Sequence, residues 1–268
     1  MSEKLLLHID DRGNATVTLN RPEVHNAFDP ELVDALTTAL DRLERDDRVR
    51  AVVLRGAGRS FCAGADIEEM RKSATYSPEQ NFDIARRSAR MFHALCTLGK
   101  PTIACVHGAA RGGGCGLVAA CDIALAAREA TFRFSEVKIG VIPAMISPYV
   151  IAAIGERMAH RYLLTGEEFD AAEARRIGLV HEVVAADALE QKLADVLAQL
   201  HTSGPNAVRA IKALIPLSAH ASIGEGIVEE TARRIAAIRA TPEAQEGLSA
   251  FLEKRKPAWI TNKSGTST

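Results

Sequence analysis

A strand-length apolar run from Thr102 to Val106 is followed closely by three consecutive glycines, Gly112 to Gly114, and then by an apolar stretch from Leu117 to Cys121. Few folds admit that order. The run predicts a buried strand, the triplet lets the backbone turn with positive φ and approach a neighbour without β-carbon interference, and the apolar stretch predicts a buried helix. The first N–H groups of such a helix lack carbonyl partners and stand at the positive end of its dipole, so the turn suits an oxygen anion. Tight packing of strand on helix, with no ligand, explains a glycine triplet equally well. Residues elsewhere must decide.

Taken in order, residues 5–9 and 15–19 flank a polar turn and predict a β-hairpin. Asp29 is the expected cap and Pro30 the first residue of a helix to about Asp46, with Leu32, Val33, Leu36, Leu40 and Leu43 as its apolar stripe. A strand over 51–54 leads into a loop punctuated by Gly56, Gly58 and Gly64, and residues 65–67 open a short helix. Ser77 and Pro78 start another, with Phe82, Ala85, Ala89, Phe92 and Leu95 on one face, and 123–127 is a further strand. Strands alternating with helices predict parallel pairing through right-handed crossovers. Beyond Pro143 the pattern becomes helical, with one late strand over 179–184. The C-terminal helices carry apolar residues, among them Ile227, Ile235, Ile238, Leu248, Phe251 and Leu252, that predict a face covered by other copies of the chain. Residues 263–268 read as a frayed tail.

Composition removes several functions. Lys plus Arg number 33 against 34 Asp plus Glu, so no basic field favours nucleic acid. No apolar span is long enough for a membrane helix or a signal peptide. The five cysteines form no C-x-x-C pair, and Cys105, Cys115 and Cys121 sit in apolar surroundings, as buried thiols in a reducing, cytoplasmic setting do. No metal site is expected. The glycine turn fits neither a P-loop nor G-x-G-x-x-G, and the G-x-S-x-G and H-E-x-x-H signatures are missing, which argues against nucleotide hydrolysis, NAD chemistry and the usual hydrolase and zinc-protease templates.

What remains is a constellation. The loop 60–67 follows the strand at 51 and the triplet follows the strand at 102, so in a parallel sheet both leave from one edge and can aim backbone N–H groups at one oxygen, as an oxyanion hole requires. Glu136 lies in an apolar stretch ahead of Gly140 and Pro143. Desolvation there raises a carboxylate toward the working range of a general base; a surface Glu beside Lys138, or one capping a turn, is the alternative. Arg111, beside the triplet, either meets an anion or makes a solvated or inter-subunit salt bridge, and His107 and Arg133 are the other polar residues near it in sequence.

Ser60-Phe-Cys-Ala-Gly-Ala-Asp-Ile67, residues 100–104 with Gly112-Gly-Gly-Cys115, Cys121-Asp-Ile123, Leu164-Thr-Gly166 and Gly178-Leu-Val180, in this order, resemble the enoyl-CoA hydratase/isomerase (crotonase) family. The resemblance covers residues 5 to 256. It implies an α/β fold, a spiral of ββα units over 1–200 with a helical C-terminal trimerisation region over 201–268, assembled as homotrimers or dimers of trimers. It also implies an acyl-CoA thioester substrate, with no cofactor beyond the CoA of that substrate. The N–H groups of Ala65 and Gly113 take the place of the oxyanion hole and Glu136 that of a catalytic carboxylate. Val24, His25, Ala27, Ala63, Asp66, Ile67 and Gly112 fall at CoA-binding positions, while Phe251 and Lys254 resemble residues that reach CoA from a neighbouring subunit. Arg111, Gly116 and Met145 are candidates for the acyl pocket.

The chain departs from the pattern at Gly116, where two-carboxylate hydratases hold their other Glu. Single-glutamate members include 3-enoyl to 2-enoyl-CoA isomerases and some hydratases, and residues 135–149 are most similar to bacterial methylglutaconyl-CoA hydratase-type members. The expected reaction is therefore hydration of a 2-enoyl-CoA, with a branched, methylglutaconyl-like acyl chain. Isomerisation is the alternative, and a non-catalytic acyl-CoA scaffold a third reading. Gly116 is expected to leave room for the attacking water.

Overall fold

The computed structural model describes residues 3–260, so the expected tail at 263–268 lies outside the described residues. The chain divides into two units, Met1–Ala194 and Asp195–Thr268.

In the first unit, β1 (Leu5–Ile9) and β2 (Asn14–Leu19) form an antiparallel hairpin, with Leu5 opposite Leu19. The helix α1 (Pro30–Arg45) starts where its cap predicts: Asp29 Oδ1 accepts from the Leu32 N–H at 2.8 Å, and the leucine stripe is buried. Next come β3 (Ala51–Gly56), α2 (Ile67–Ser73), α3 (Pro78–Thr97) and β4 (Thr102–Val106). A reciprocal box between Ser77 and Gln80 caps α3. Its buried face is Met91, Phe92 and Leu95. Phe82, expected on that face, is exposed with the Arg86 guanidinium 5.5 Å from its ring centre, because the first turns of α3 project past the core.

Two sheets organise this unit. With β6 (Ile123–Ala127) and β9 (Glu182–Val184), the larger sheet has the order β1-β2-β3-β4-β6-β9, and every pairing after the hairpin is parallel. The late strand is shorter than expected, since Leu179 and Val180 are buried in the turn before it. The smaller sheet joins β5 (Ala109–Arg111), β7 (Thr131–Arg133) and β8 (Glu168–Asp170). A single bridge between Cys62 and Ala110 extends it. The same plan therefore repeats: β3, the Cys62 bridge, α2; then β4, β5, α4 (Gly113–Ala120); then β6, β7, α5 (Ser147–Thr165). That is the ββα spiral. The second strand of each unit escapes sequence reading because three residues carry no measurable period.

α5 breaks at Gly155 (φ 73°), and α6 (Ala171–Ile177) is capped by Asp170, which accepts from the Glu173 N–H. Phe132, Phe134 and Tyr162 surround Phe169, with ring centres 4.4 to 6.0 Å from it, and this aromatic packing joins the smaller sheet to α5. The Tyr162 hydroxyl donates to Glu173, which satisfies the one polar atom that ring buries.

The division between units falls inside α7 (Leu189–Thr202), ahead of the 200/201 boundary expected from sequence, and the buried leucines of that helix, Leu189 and Leu193, both precede it. The second unit holds α8 (Pro205–Ala219), α9 (Glu225–Arg239) and α10 (Pro242–Leu252). Glu243 of α10 caps α8, accepting from the N–H groups of Asn206 and Ala207 at 2.9 Å each. Trp259 closes this unit, its indole N–H donating to the Thr202 carbonyl at 3.1 Å. Ile211, Ile215, Ile235, Leu248, Phe251 and Leu252 remain exposed within it.

Candidate active site

The spiral brings its two glycine loops into direct register. Cys62 N–H donates to the Ala109 carbonyl at 3.1 Å and Arg111 N–H to the Cys62 carbonyl at 2.9 Å, so the loop after β3 lies along β5 as an added strand. A β-carbon on Gly64 would stand 3.4 Å from the Gly113 nitrogen. The loop therefore presses on the first turn of α4. On its other side, residues 63–66 pair with residues 25–28 through a parallel bridge between Phe28 and Ala65.

That double pairing leaves two donors over. The bonds of the Phe28 bridge run from Phe28 N–H to the Gly64 carbonyl (2.6 Å) and from Asp66 N–H to the Phe28 carbonyl (2.9 Å), which bypasses the Ala65 N–H. Gly113 is the first residue of α4, and its N–H likewise donates to no described residue. Gly112 takes φ 48° and ψ −118°, a conformation open to glycine alone, and its own N–H is spent on the Arg133 carbonyl at 2.8 Å. Of the triplet, only Gly112 has positive φ. Gly113 and Gly114 are helical, and they are glycines because a β-carbon would strike the Phe28 ring and the Cys62 carbonyl respectively.

Glu136 opens a turn of 3-10 helix, Glu136–Ile139, after β7. Its Oε1 lies 2.9 Å from the place of a β-carbon on Gly112, and its Oε2 is buried with no hydrogen-bond partner among the described residues. Burial raises its pKa above the ordinary carboxylate value, and its own backbone N–H only partly offsets this. A raised carboxylate with an unused buried oxygen, beside two unused N–H donors, is equipped to move a proton next to a developing oxyanion.

A profile of the family described as enoyl-CoA hydratase/isomerase matches residues 11–262. The chain belongs to this family. It is an enzyme with the crotonase fold. An enoyl-CoA hydratase from Shewanella pealeana superimposes with a TM-score of 0.92 at 39% identity, covering 96% of each chain. One from Mycobacterium smegmatis gives 0.91 at 38%, covering 97% of this chain and all of that one. A Thermus thermophilus protein whose name places it among the enoyl-CoA hydratases is 37% identical over 252 residues, 94% of this chain and 99% of that protein.

The other expected site residues of this hydratase/isomerase-family chain fall into distinct settings. Val24 ends a 3-10 turn, Pro22–Val24, and His25 follows with φ 54°, its Nδ1 3.0 Å from Ser60 Oγ. Ala27 is buried, and Ala63 N–H donates to the His25 carbonyl at 2.9 Å. Asp66 is taken up by the scaffold: it caps α2 and pairs with Arg21 Nη1 at 2.8 Å. Ile67 and Met145 are exposed, as are Ile139, Val141 and Ile142. Phe251 and Lys254 lie in the second unit, Phe251 exposed and Lys254 with φ 55° just after α10. His107 donates from Nε2 to the Gly58 carbonyl (2.9 Å), and Arg133 Nε donates to the Gly166 carbonyl (2.8 Å).

Two positions are defined by the structure. Of the readings open for Arg111 the structure shows a salt bridge, made within the chain: Nη2 pairs with Glu168 Oε2 at 2.5 Å and with Thr131 Oγ1 at 2.9 Å, so it ties β5 across β7 to β8. Gly116 does not leave an open space. A β-carbon there would collide with Ile146 Cγ2 and stand 3.1 Å from Phe92 Cε1, so these two side chains already fill the position. The sequence reading also missed Arg21, Asn26, Phe28 and Ile146. Only Asn26 carried a signal, since asparagine tolerates the left-handed backbone better than other residues with a side chain.

Proposed function

We propose that the enzyme hydrates a 2-enoyl-CoA thioester. The thioester oxygen sits between the N–H groups of Ala65 and Gly113, and Glu136 takes a proton from water as the water oxygen bonds to C3. The electron pair of the C2–C3 double bond moves onto the thioester as an enolate, which the two donors hold. Protonated Glu136 then returns its proton to C2 on the same face. Fixed donors of this kind contribute about 2.7 to 4 kcal/mol each to the transition state, so the step asks for no metal or redox cofactor. The buried Oε2 of Glu136, without a hydrogen-bond partner among the described residues, carries this reading.

CoA is proposed to run past Val24, His25, Ala27, Ala63, Ile67 and Gly112, with Phe251 and Lys254 reaching it from a neighbouring subunit of a homotrimer or dimer of trimers. The exposed apolar residues of the second unit support such an assembly. The buried, reduced thiols of Cys62, Cys105 and Cys115 suit a cytoplasmic setting. The likeness of residues 135–149 supports a branched, methylglutaconyl-like acyl chain.

A second reading, conversion of 3-enoyl to 2-enoyl-CoA with Glu136 carrying a proton from C2 to C4, is favoured by one observation. Ile146 and Phe92 make the wall at Gly116 apolar, and a proton shuttle between carbons needs water kept out. Incubation of a panel of 2-enoyl-CoA esters in H₂¹⁸O separates the readings: hydration gives 3-hydroxyacyl-CoA labelled at C3. No hydroxy product, with 3-enoyl esters converted to conjugated thioesters, replaces hydratase by isomerase. Tight binding without turnover of either series leaves an acyl-CoA scaffold.

A further inference from the structure

Asn26 is fully buried between β2 and α1, and with His25 it forms two consecutive left-handed residues, φ 58° and 54°. Its side-chain amide is saturated. Nδ2 donates to the carbonyls of Ala57 (2.9 Å), Ser60 (2.8 Å) and Phe61 (3.2 Å), and Oδ1 accepts from the Arg21 N–H at 2.9 Å. Its backbone carbonyl accepts from the Cys62 thiol at 3.2 Å, and that sulfur faces the Gly64 N–H at 3.4 Å. One side chain thus fastens the loop 20–28 to the loop 57–61.

The residues around Asn26 are also the template on which Ala65 is laid. His25 accepts from Ala63, and Phe28 bonds Gly64 and Asp66. The backbone on either side of Ala65 is therefore bonded to the segment that Asn26 anchors, while the Ala65 N–H itself donates to no described residue. Residues 57–61 are a loop outside either sheet, and of the described side chains that bond it Asn26 alone takes three of its carbonyls, beside the bonds of His25 to Ser60 and of His107 to Gly58. We infer that Asn26 is a positioning residue for the Ala65 donor: it sets where the N–H points without touching substrate. The inference rests on the reading of Ala65 as an oxyanion donor.

Two variants suit the test. Asn26→Gly accepts the left-handed backbone and deletes the amide, and Asn26→Asp keeps shape and the Oδ1 acceptor but replaces the donor that three carbonyls share. Butyryl-CoA, which has no double bond to react, serves as probe with ¹³C at its carbonyl. Infrared difference spectra should show the bound carbonyl stretch moved to lower frequency in the wild-type protein and a smaller displacement in both variants. With a turned-over enoyl ester, kcat should fall by about 10- to 100-fold while KM changes little, as misplacement of a donor by a fraction of an ångström does. Leu40→Ala, a cavity in α1 remote from these loops, lowers Tm as a control and leaves the carbonyl displacement whole.

A full wild-type displacement retained in folded Asn26→Gly and Asn26→Asp overturns the positioning role and leaves the donor reading intact. No displacement in the wild-type protein itself overturns the donor reading, and this inference with it. If neither variant yields folded protein, Asn26 serves the whole fold and the specific role is withdrawn.

Discussion

Glu136 Oε1 lies 2.9 Å from the point that a β-carbon on Gly112 would occupy, so the carboxylate and the glycine are fitted to each other. Gly112 also holds φ 48° and ψ −118°, which an L side chain does not adopt without strain. Gly112→Ala should therefore cost about 1–3 kcal/mol of stability through the backbone alone. It should also push the carboxylate aside and lower kcat by on the order of 10². Denaturant melts and steady-state kinetics read the two effects separately, and an alanine variant with wild-type kcat would show that the carboxylate does not depend on this fit.

Glu136→Gln keeps the shape and removes the base. Binding of a CoA ester should persist while turnover falls by about 10² to 10⁴. The stability effect has the opposite sign. Burial raises the folded pKa of Glu136 above its unfolded value, so the folded state binds the proton more tightly, and stability falls as pH rises from the unfolded toward the folded pKa. Above that window the ionised carboxylate is a standing cost, and below the unfolded pKa the cost is gone. The glutamine variant should thus have a raised Tm at about pH 7 to 8 and show no gain in acid. The acid limb of wild-type kcat should likewise lie above the ordinary Glu range. A Tm lowered equally at every pH would mean that the carboxylate is not desolvated.

Much of this site was legible in the chain because its parts are local. Asp29 and Ser77 cap their helices as their spacing predicts, and the strand before the triplet is an unbroken apolar run. Glu136 stood out as a carboxylate in an apolar stretch. What was not legible depends on contacts between distant residues. The smaller sheet is built from three-residue strands that are held by pairing with one another and with Cys62, residues distant in sequence. Ile146 meets Gly116 through the approach of α5 to α4, and no property of either residue announces it. Arg111 looked available because Glu168, its partner, comes from a strand far along the chain.

That pairing changes what Arg111→Met should do. The Arg111 side chain is 23% exposed and Glu168 52%, so the pair contributes about 0 to 1 kcal/mol. Loss of the charge should lower Tm slightly by loosening β5 from β8. KM should move equally for carboxylate-bearing and uncharged acyl-CoA esters, since the guanidinium is already occupied. A rise in KM confined to acyl chains with a distal carboxylate would show that Arg111 leaves Glu168 to meet substrate.

Gly116 and Ile146 give the prediction that bears most on mechanism. Ile146 is buried, and its Cγ2 occupies the space of a β-carbon on Gly116, with Phe92 closing the other side. Gly116→Ala gains about 1 kcal/mol of helix propensity in α4. It also forces a methyl group into filled space, at about 1–3 kcal/mol. Ile146→Ala alone leaves a cavity and should cost about 2–5 kcal/mol. Because the two changes act on the same volume, the double variant should be more stable than the sum of the single ones by about 0.5–3 kcal/mol, measured by denaturant melts as a double-mutant cycle. The catalytic consequence comes from the same volume. If the apolar wall is what keeps stray water from the carboxylate, opening it with Ile146→Ala should raise the ratio of hydroxy product to isomerised product when a 3-enoyl-CoA is supplied. If that ratio stays fixed while the cycle shows strong coupling, the wall serves packing alone, and the choice between hydration and isomerisation is made by the setting of Glu136.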